Sequence, residues 1–212
     1  MPGKIVVTAG PTREKIDAIR FISNRSSGKM GYAIAEAARD AGYDCVLISG
    51  PVNLPPPAGI RLVAVESVAQ MQEAVQREIQ DANALIMAAA PADYRPADVI
   101  EGKMKKKDGD LSLRLERTPD ILLGIGQNKP EKLLLIGFAA ESSDLHRYAL
   151  DKLQRKNLDW ICANDIGNGD RAFGADRNTI TMFGKNGEVI LLPDAPKHEI
   201  ARSILRVTRL AF

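Results

Sequence analysis

Three stretches of the 212-residue chain carry side chains whose types and spacing could do chemistry. In Ser23-Asn24-Arg25-Ser26-Ser27-Gly28-Lys29-Met30-Gly31, hydroxyls, a flexible glycine and two cations come directly before an alanine-rich segment with helical spacing. The first amides of a helix have no partner, and its N-terminus carries about half a positive charge. Ser27, Gly28 and their neighbours could therefore cradle a phosphate. A serine N-cap on an ordinary helix accounts for the same residues. Lys103, Lys105, Lys106 and Lys107 form the densest charge cluster, between Gly102 and Gly109. That is either a solvated basic loop or a lid whose ammonium groups offset charge developing on a leaving phosphate. Asp93 stands ten residues before Lys103, where a carboxylate could take hydrogen bonds from a ribose or help to hold a metal ion.

Other motifs fit their chemistry less well. Gly28-Lys29 looks like the end of a nucleotide-binding P-loop, but Met30 stands where Ser or Thr is required, and Ser23 where the first glycine belongs. Gly167-Asn168-Gly169-Asp170-Arg171-Ala172 matches a loose dinucleotide pattern, yet no helical pattern starts there, so it reads as a polar turn. Tyr148-Ala149-Leu150-Asp151-Lys152 has the Tyr-x-x-x-Lys spacing of short-chain reductases. The turn after the first strand, Thr8-Ala9-Gly10-Pro11-Thr12-Arg13, has one glycine and a proline where that chemistry needs a glycine-rich loop. An NAD(P)-dependent reductase on a Rossmann sheet is the alternative reading.

The elements that must position these groups alternate. Residues 4–9, 45–49, 61–65, 84–90, 133–138 and 159–163 read as strands, several of them apolar on both faces, as buried parallel strands are. Residues 28–41 form a helical pattern that stops at Gly42. Ser67 and Gln70 make a capping box ahead of a stripe of Val68, Met71, Val75 and Ile79. The spacing predicts a short helix from Pro119 to residue 127, and helices over 144–156 and 197–210. Leu111, Leu113 and Leu115 alternate with polar residues as in a half-exposed strand, whereas Asp93-Tyr94-Arg95-Pro96 reads as loop. Residues 179–183 and 189–192 flank Gly184-Lys185-Asn186-Gly187 as a hairpin. The result is a single α/β domain over 1–212: a Rossmann-like three-layer sandwich, with a mostly parallel sheet and a C-terminal β-hairpin. Ligands in such sheets bind beyond the carboxyl ends of the strands, which is where all three chemical stretches fall.

Composition excludes other classes. With 29 basic and 27 acidic residues the net charge is 29 − 27 = +2, and aromatics are 5%, so a nucleic-acid binder is not expected. No apolar run approaches the roughly 20 residues of a membrane span, and the start has no signal-peptide pattern, which predicts a cytoplasmic protein. Cys45 and Cys162 lie in apolar runs and read as buried, reduced thiols. Two histidines make a histidine metal site improbable.

Taken together, the stretches at 8–14, 20–31, 92–95, 103–106, 137–141, 156–159 and 163–165 resemble the phosphopantothenate–cysteine ligase family, in its bacterial CTP-using form. The densest match is Ile22-Ser23-Asn24-Arg25-Ser26-Ser27-Gly28-Lys29-Met30-Gly31. Pro91 stands where bacterial relatives more often carry valine. The resemblance implies that 4′-phosphopantothenate and L-cysteine are joined through an acyl-cytidylate, at the expense of CTP, with Mg²⁺ beside the triphosphate. It implies that Asn24 orients the carboxylate and that Lys103 is the cation at the α-phosphate. Asp93 would contact CTP, and Met87, Ala88 and Ala89 would approach it through backbone. Pro119, Asp120, Ile121 and Leu122 would line the same pocket, Phe138 would pack on the base, and Lys152 and Lys156 would hold the nucleotide. The family is dimeric, its lysine loop is expected to reach toward the partner subunit, and it is often fused to a flavin-dependent phosphopantothenoylcysteine decarboxylase.

Overall fold

The computed structural model describes residues 3–105, 109–141, 144–165 and 174–210. In chain order the strands and helices are β1 (Lys4–Ala9), β2 (Arg13–Lys15), β3 (Phe21–Ser23), α1 (Lys29–Asp40), β4 (Asp44–Ser49), β5 (Arg61–Ala64), α2 (Val68–Glu78), β6 (Ala84–Met87), β7 (Tyr94–Pro96) and β8 (Leu115–Arg117). There follow α3 (Ile121–Gln127), β9 (Leu134–Glu141), α4 (Leu145–Arg155), β10 (Trp160–Asp165), β11 (Arg177–Gly184), β12 (Val189–Pro196) and α5 (Lys197–Val207). Eight strands make one sheet in the order β12-β11-β10-β9-β6-β1-β4-β5. Only β10–β11 and β11–β12 are antiparallel, which gives the mostly parallel sheet with the expected C-terminal hairpin.

Alternation decides the layers. Ile5 and Val7 on β1 face α1 and α5, whereas Val6 between them faces the layer of α2, α3 and α4. Each fully buried aliphatic side chain of these strands contributes about 1.5–3 kcal/mol, so the strands are fixed chiefly by having apolar residues on both faces. Both cysteines are buried and free. Burial pushes the Cys45 thiol up to about 12 and Cys162 in the same direction.

β1 is the first strand and lies inside the sheet. The chain leaves it toward β4 and β5 on one side, then crosses to β6 and β9 on the other. The segments after β1 and β6 therefore diverge, and a crevice opens at this reversal of strand order.

Several sequence expectations need correction. The strand over 84–90 stops at Met87: Ala89 N–H donates to Thr8 Oγ1 (3.1 Å), and Ala90, whose N–H donates to the Gly10 carbonyl (2.9 Å), keeps only an isolated parallel bridge to Pro11. The strand through Leu111, Leu113 and Leu115 is confined to β8, and its partner is β7, a segment read as loop. Leu111 and Leu113 stay exposed because no apolar face covers them. β2 and β3 form a small hairpin that three-residue strands could not announce by periodicity. α3 starts after Asp120, whose side chain accepts from Leu123 N–H (3.0 Å), so Pro119 precedes the cap and is not the first helical residue. The polar turn at 167–172 lies outside the described residues.

Opposite the crevice, the amino ends of the strands are tied by buried carboxylates. Glu78 binds Arg61, Arg77 (3.2 Å) and Lys4 (3.3 Å). Arg61 foremost, against the opposing cost of burial, draws the Glu78 carboxyl down to about 2 from an ordinary 4.5. A lowered folded-state pKa means stability that is present above the unfolded value and lost as pH falls through the folded one. Glu78→Gln is expected to cost about 3 kcal/mol at neutral pH. The gap between wild type and variant in urea unfolding should close as pH falls from 4.5 to about 2. A pH-independent gap would show that the carboxylate charge contributes nothing.

Candidate functional site

The cradle begins at Gly28. It caps α1 at φ 75°, in the left-handed region, with no side chain on the cap. The serine N-cap that the sequence allowed is therefore absent, and the first amides of α1 are left for something else. Ser26 Oγ instead accepts from Gly28 N–H (3.4 Å). A Cβ on Gly28 would meet Val52 Cγ1 at 2.8 Å, and one on Gly31 would meet Ala9 Cβ at 2.6 Å and the Thr8 carbonyl at 2.8 Å. Glycine at these points lets the helix start press against the end of β1.

Two cavities meet there. The larger, about 330 Å³, is lined by Ser26, Ser27, Gly28 and Lys29 from the cradle, Ala88, Ala89, Ala90 and Asp93 after β6, Phe138 on β9, and Lys152. The smaller, about 150 Å³, is lined by Met87, Pro119, Asp120, Ile121, Leu122 and Lys156. Ala89, Asp93 and Phe138 line both, so the cavities adjoin across the ends of β6 and β9. Another cavity, about 320 Å³ between β2 and the start of α2, holds mixed charges and touches no carboxyl end of β6 or β9.

Electrostatics favour an anion. Lys156 Nζ sits 2.9 Å from Asp120. Burial raises the Asp120 pKa, but Lys156 and the Leu123 N–H outweigh it and hold the carboxyl below its ordinary value. Lys29 Nζ meets Asp176 Oδ1 at 2.6 Å and the Gly174 carbonyl at 2.8 Å. Lys197, buried at 7% exposure, donates to the Ala175 carbonyl. Burial, and Lys29 after it, hold Lys197 below its ordinary pKa. Asp93 is exposed where the cavities meet. No cluster of three or more metal-ligating side chains exists among the described residues. A divalent ion in this site would be held mainly by its phosphate ligand and water, with Asp93, which lines both cavities, as an available carboxylate; that fits the habits of Mg²⁺.

The structure thus gathers Ser27, Gly28, Met87, Ala88, Ala89, Asp93, Pro119, Asp120, Ile121, Leu122, Phe138, Lys152 and Lys156. Asn24 stands at the rim. Its Nδ2 donates to the carbonyls of Pro91 (2.9 Å) and Ala90 (3.3 Å), one lining each cavity. Both amide hydrogens are therefore engaged on protein before any ligand arrives. Lys103 is exposed and lines neither cavity. Lys106 and Lys107 lie outside the described residues. Tyr148 is exposed on α4 beside Arg147 and lines neither cavity, so the Tyr-x-x-x-Lys spacing assembles no reductase site. Sequence reasoning missed Lys197, Asn164 and Asn178 in the larger cavity. Asn164 lies in β10, just past the end of the strand expected at 159–163, and could have been suspected. Lys197 opens a helix far along the chain and gave no local signal.

The model of a family described as the DNA/pantothenate metabolism flavoprotein C-terminal domain matches residues 2–210. The coenzyme A biosynthesis bifunctional protein CoaBC of Bacillus subtilis is 48% identical over 203 residues, covering 95% of this chain and 50% of that protein. The protein of the same name from Escherichia coli is 44% identical over 190 residues, covering 88% and 47%. The chain thus spans about half the length of the curated relatives it matches. A crystal structure of the C-terminal domain of CoaBC superposes with a TM-score of 0.84 at 46% identity, over 98% of this chain and 94% of that one.

Gly28→Ala is expected to leave the protein folded at a cost of about 1–2 kcal/mol, from the left-handed cap and the contact with Val52. Its affinity for inorganic pyrophosphate, read by calorimetry, should fall at least about tenfold. Unchanged pyrophosphate affinity would mean that the open helix start is not an anion site.

Proposed function

The chain belongs to the family of the DNA/pantothenate metabolism flavoprotein C-terminal domain, and on that footing we propose that it is a CTP-dependent phosphopantothenate–cysteine ligase acting in coenzyme A biosynthesis. The observation that carries this reading is the pair of adjoining cavities at the ends of β6 and β9, walled on one side by the uncapped start of α1 and on the other by Lys156 and the start of α3. Together they offer a polar, cation-rich trough for a triphosphate, beside a narrower slot for a base.

The chemistry has two steps. The carboxylate of 4′-phosphopantothenate attacks the α-phosphorus of CTP and expels pyrophosphate, giving an acyl-cytidylate. The amine of L-cysteine then attacks the acyl carbon, CMP leaves with the bonding pair, and the amine loses a proton. Activation is needed because a free carboxylate would have to expel oxide. The α1 amides, Lys29 and Lys197 lie where they can hold phosphate oxygens, Lys152 and Lys156 flank the nucleotide, and Phe138 packs on the base. Mg²⁺ bound with the triphosphate would lower its charge. Asn24 can orient the substrate carboxylate once its amide leaves the two carbonyls that now hold it. Lys103 stabilises charge at the α-phosphate during transfer.

The position of Lys103 supports a symmetric homodimer. It sits by the tip of the β2–β3 hairpin, where Ile19, Phe21, Val99 and Ile100 are all exposed. Lys103 lines neither cavity of its own chain. A second copy packed on this apolar strip brings its Lys103 to the first copy's cavities. No helix among the described residues is long and apolar enough to cross a membrane, and we place the reaction in the cytoplasm. The longer relatives are named bifunctional, and a flavin-dependent decarboxylase consuming the product is the proposed neighbour activity.

Pyrophosphate release should require 4′-phosphopantothenate and proceed fastest with CTP among the four nucleoside triphosphates. Release independent of the acid, or tight NADPH binding, would overturn the reading. Lys103→Gln should lower turnover at least about 100-fold with the fold intact. Mixed with Gly28→Ala, allowed to exchange subunits and assayed at CTP well below the wild-type KM, where Gly28→Ala sites are slow, it should recover about a quarter of the wild-type activity, since half of the dimers are mixed and one of their two sites is whole. No recovery would place Lys103 in its own protomer's site.

A further inference from the structure

We infer that Asp17 is a positioning residue for Lys103, clamping the root of the lysine loop onto the tip of the β2–β3 hairpin. This rests on the role given above to Lys103. Asp17 is a carboxylate at 2% exposure in a turn that has no part in either cavity. Its Oδ1 accepts from Ile19 N–H (2.8 Å) and Arg20 N–H (2.7 Å), which closes the turn. Its Oδ2 reaches across to the other segment and accepts from Met104 N–H (3.1 Å). A turn needs only the first two bonds; the third ties it to the residue after Lys103.

The residue before Lys103 is tied as well. Ala18 N–H donates to the Gly102 carbonyl (3.1 Å), and Ile100 N–H to the Ile16 carbonyl (3.0 Å). Lys103 is thus flanked by two backbone anchors, both on the turn that Asp17 organises. Arg20 pairs with Asp17 Oδ2 (3.3 Å) and leans toward the Met104 carbonyl (3.5 Å), so the clamp also has its counter-charge. The amides of Ile19 and Arg20, and after them that of Met104, hold the Asp17 carboxyl below its ordinary value, so it stays ionised at neutral pH.

The same hairpin continues through β3 into Asn24, which is latched to the end of β6. The two residues assigned to the chemistry therefore hang from opposite ends of one short hairpin. A lysine on a glycine-flanked loop must be presented from a fixed root if its ammonium is to meet a developing charge repeatedly. The Asp17 clamp supplies that root.

The test is a double-variant cycle read by pyrophosphate release. Asp17→Asn keeps the size of the side chain but turns a hydrogen-bond donor toward the Met104 amide. It should lower kcat at least tenfold while KM for CTP moves less than threefold. Combined with Lys103→Gln it should add less than a twofold further loss, because Asp17 acts only through Lys103. Losses that multiply in the double variant would assign Asp17 a purely structural role and overturn the inference, as would wild-type kcat in Asp17→Asn. Wild-type turnover by Lys103→Gln would instead remove Lys103 from the reaction, and this inference with it. Should Asp17→Asn fail to fold, Met104→Pro deletes the donated N–H from outside the hairpin and should reproduce the fall in kcat, with KM for CTP again moving less than threefold. Full activity in that variant would overturn the clamp.

Discussion

Everything at the site depends on the sutures between the ends of β1 and β6. These neighbouring parallel strands send their chains in opposite directions, and such ends would splay if only the ladder held them. Thr8 and Thr12, both fully buried, accept from the amides of Ala89 and Ala92, and the Gly10 carbonyl accepts from Ala90. Asn24 adds two bonds from the other side. The Ala89 amide goes to a threonine hydroxyl in place of a strand carbonyl, and Ala90 keeps only an isolated bridge to Pro11. This shortens β6 by three residues against its apolar run and fixes where Ala88, Ala89 and Asp93 face.

On that floor the cations are held ready by partners that can be given up. Asp176, which holds Lys29, is itself largely exposed, and Asp120 is half exposed beside Lys156. Exchanging a solvated carboxylate for a phosphate costs little, because neither state leaves a buried charge unpaired. The buried carboxylates at the opposite edge of the sheet behave differently. Glu78 and Asp159 are enclosed by cations that close the amino ends of the strands. One edge of the sheet uses ion pairs as fixed fasteners, and the other uses them as exchangeable ones.

The β2–β3 hairpin stands outside the sheet and connects the parts that the sheet does not. It joins the Asn24 latch at one end to the root of the lysine loop at the other. Its outer side is apolar and exposed, with Arg13 stacked 4.5 Å over Phe21.

By itself the sequence determined the sandwich and its hairpin, because buried parallel strands, a capping box and turn residues are written in neighbouring positions; most of the lining of the two cavities was legible only through the resemblance to a known family. It also singled out the cradle before α1 and the acid after β6, since both follow strands whose apolar runs are unmistakable. Only the tertiary structure decided which loops meet. The pairing of β7 with β8, the shortening of β6, the place of Lys197 and the bond from Asp17 to Met104, 87 positions apart, all join residues remote in the chain. Periodicity reports which face of an element is buried. It carries no record of the long-range hydrogen bonds that close a crevice, and those bonds decide that Asn24 is latched to the end of β6 while Lys103 stands outside both cavities.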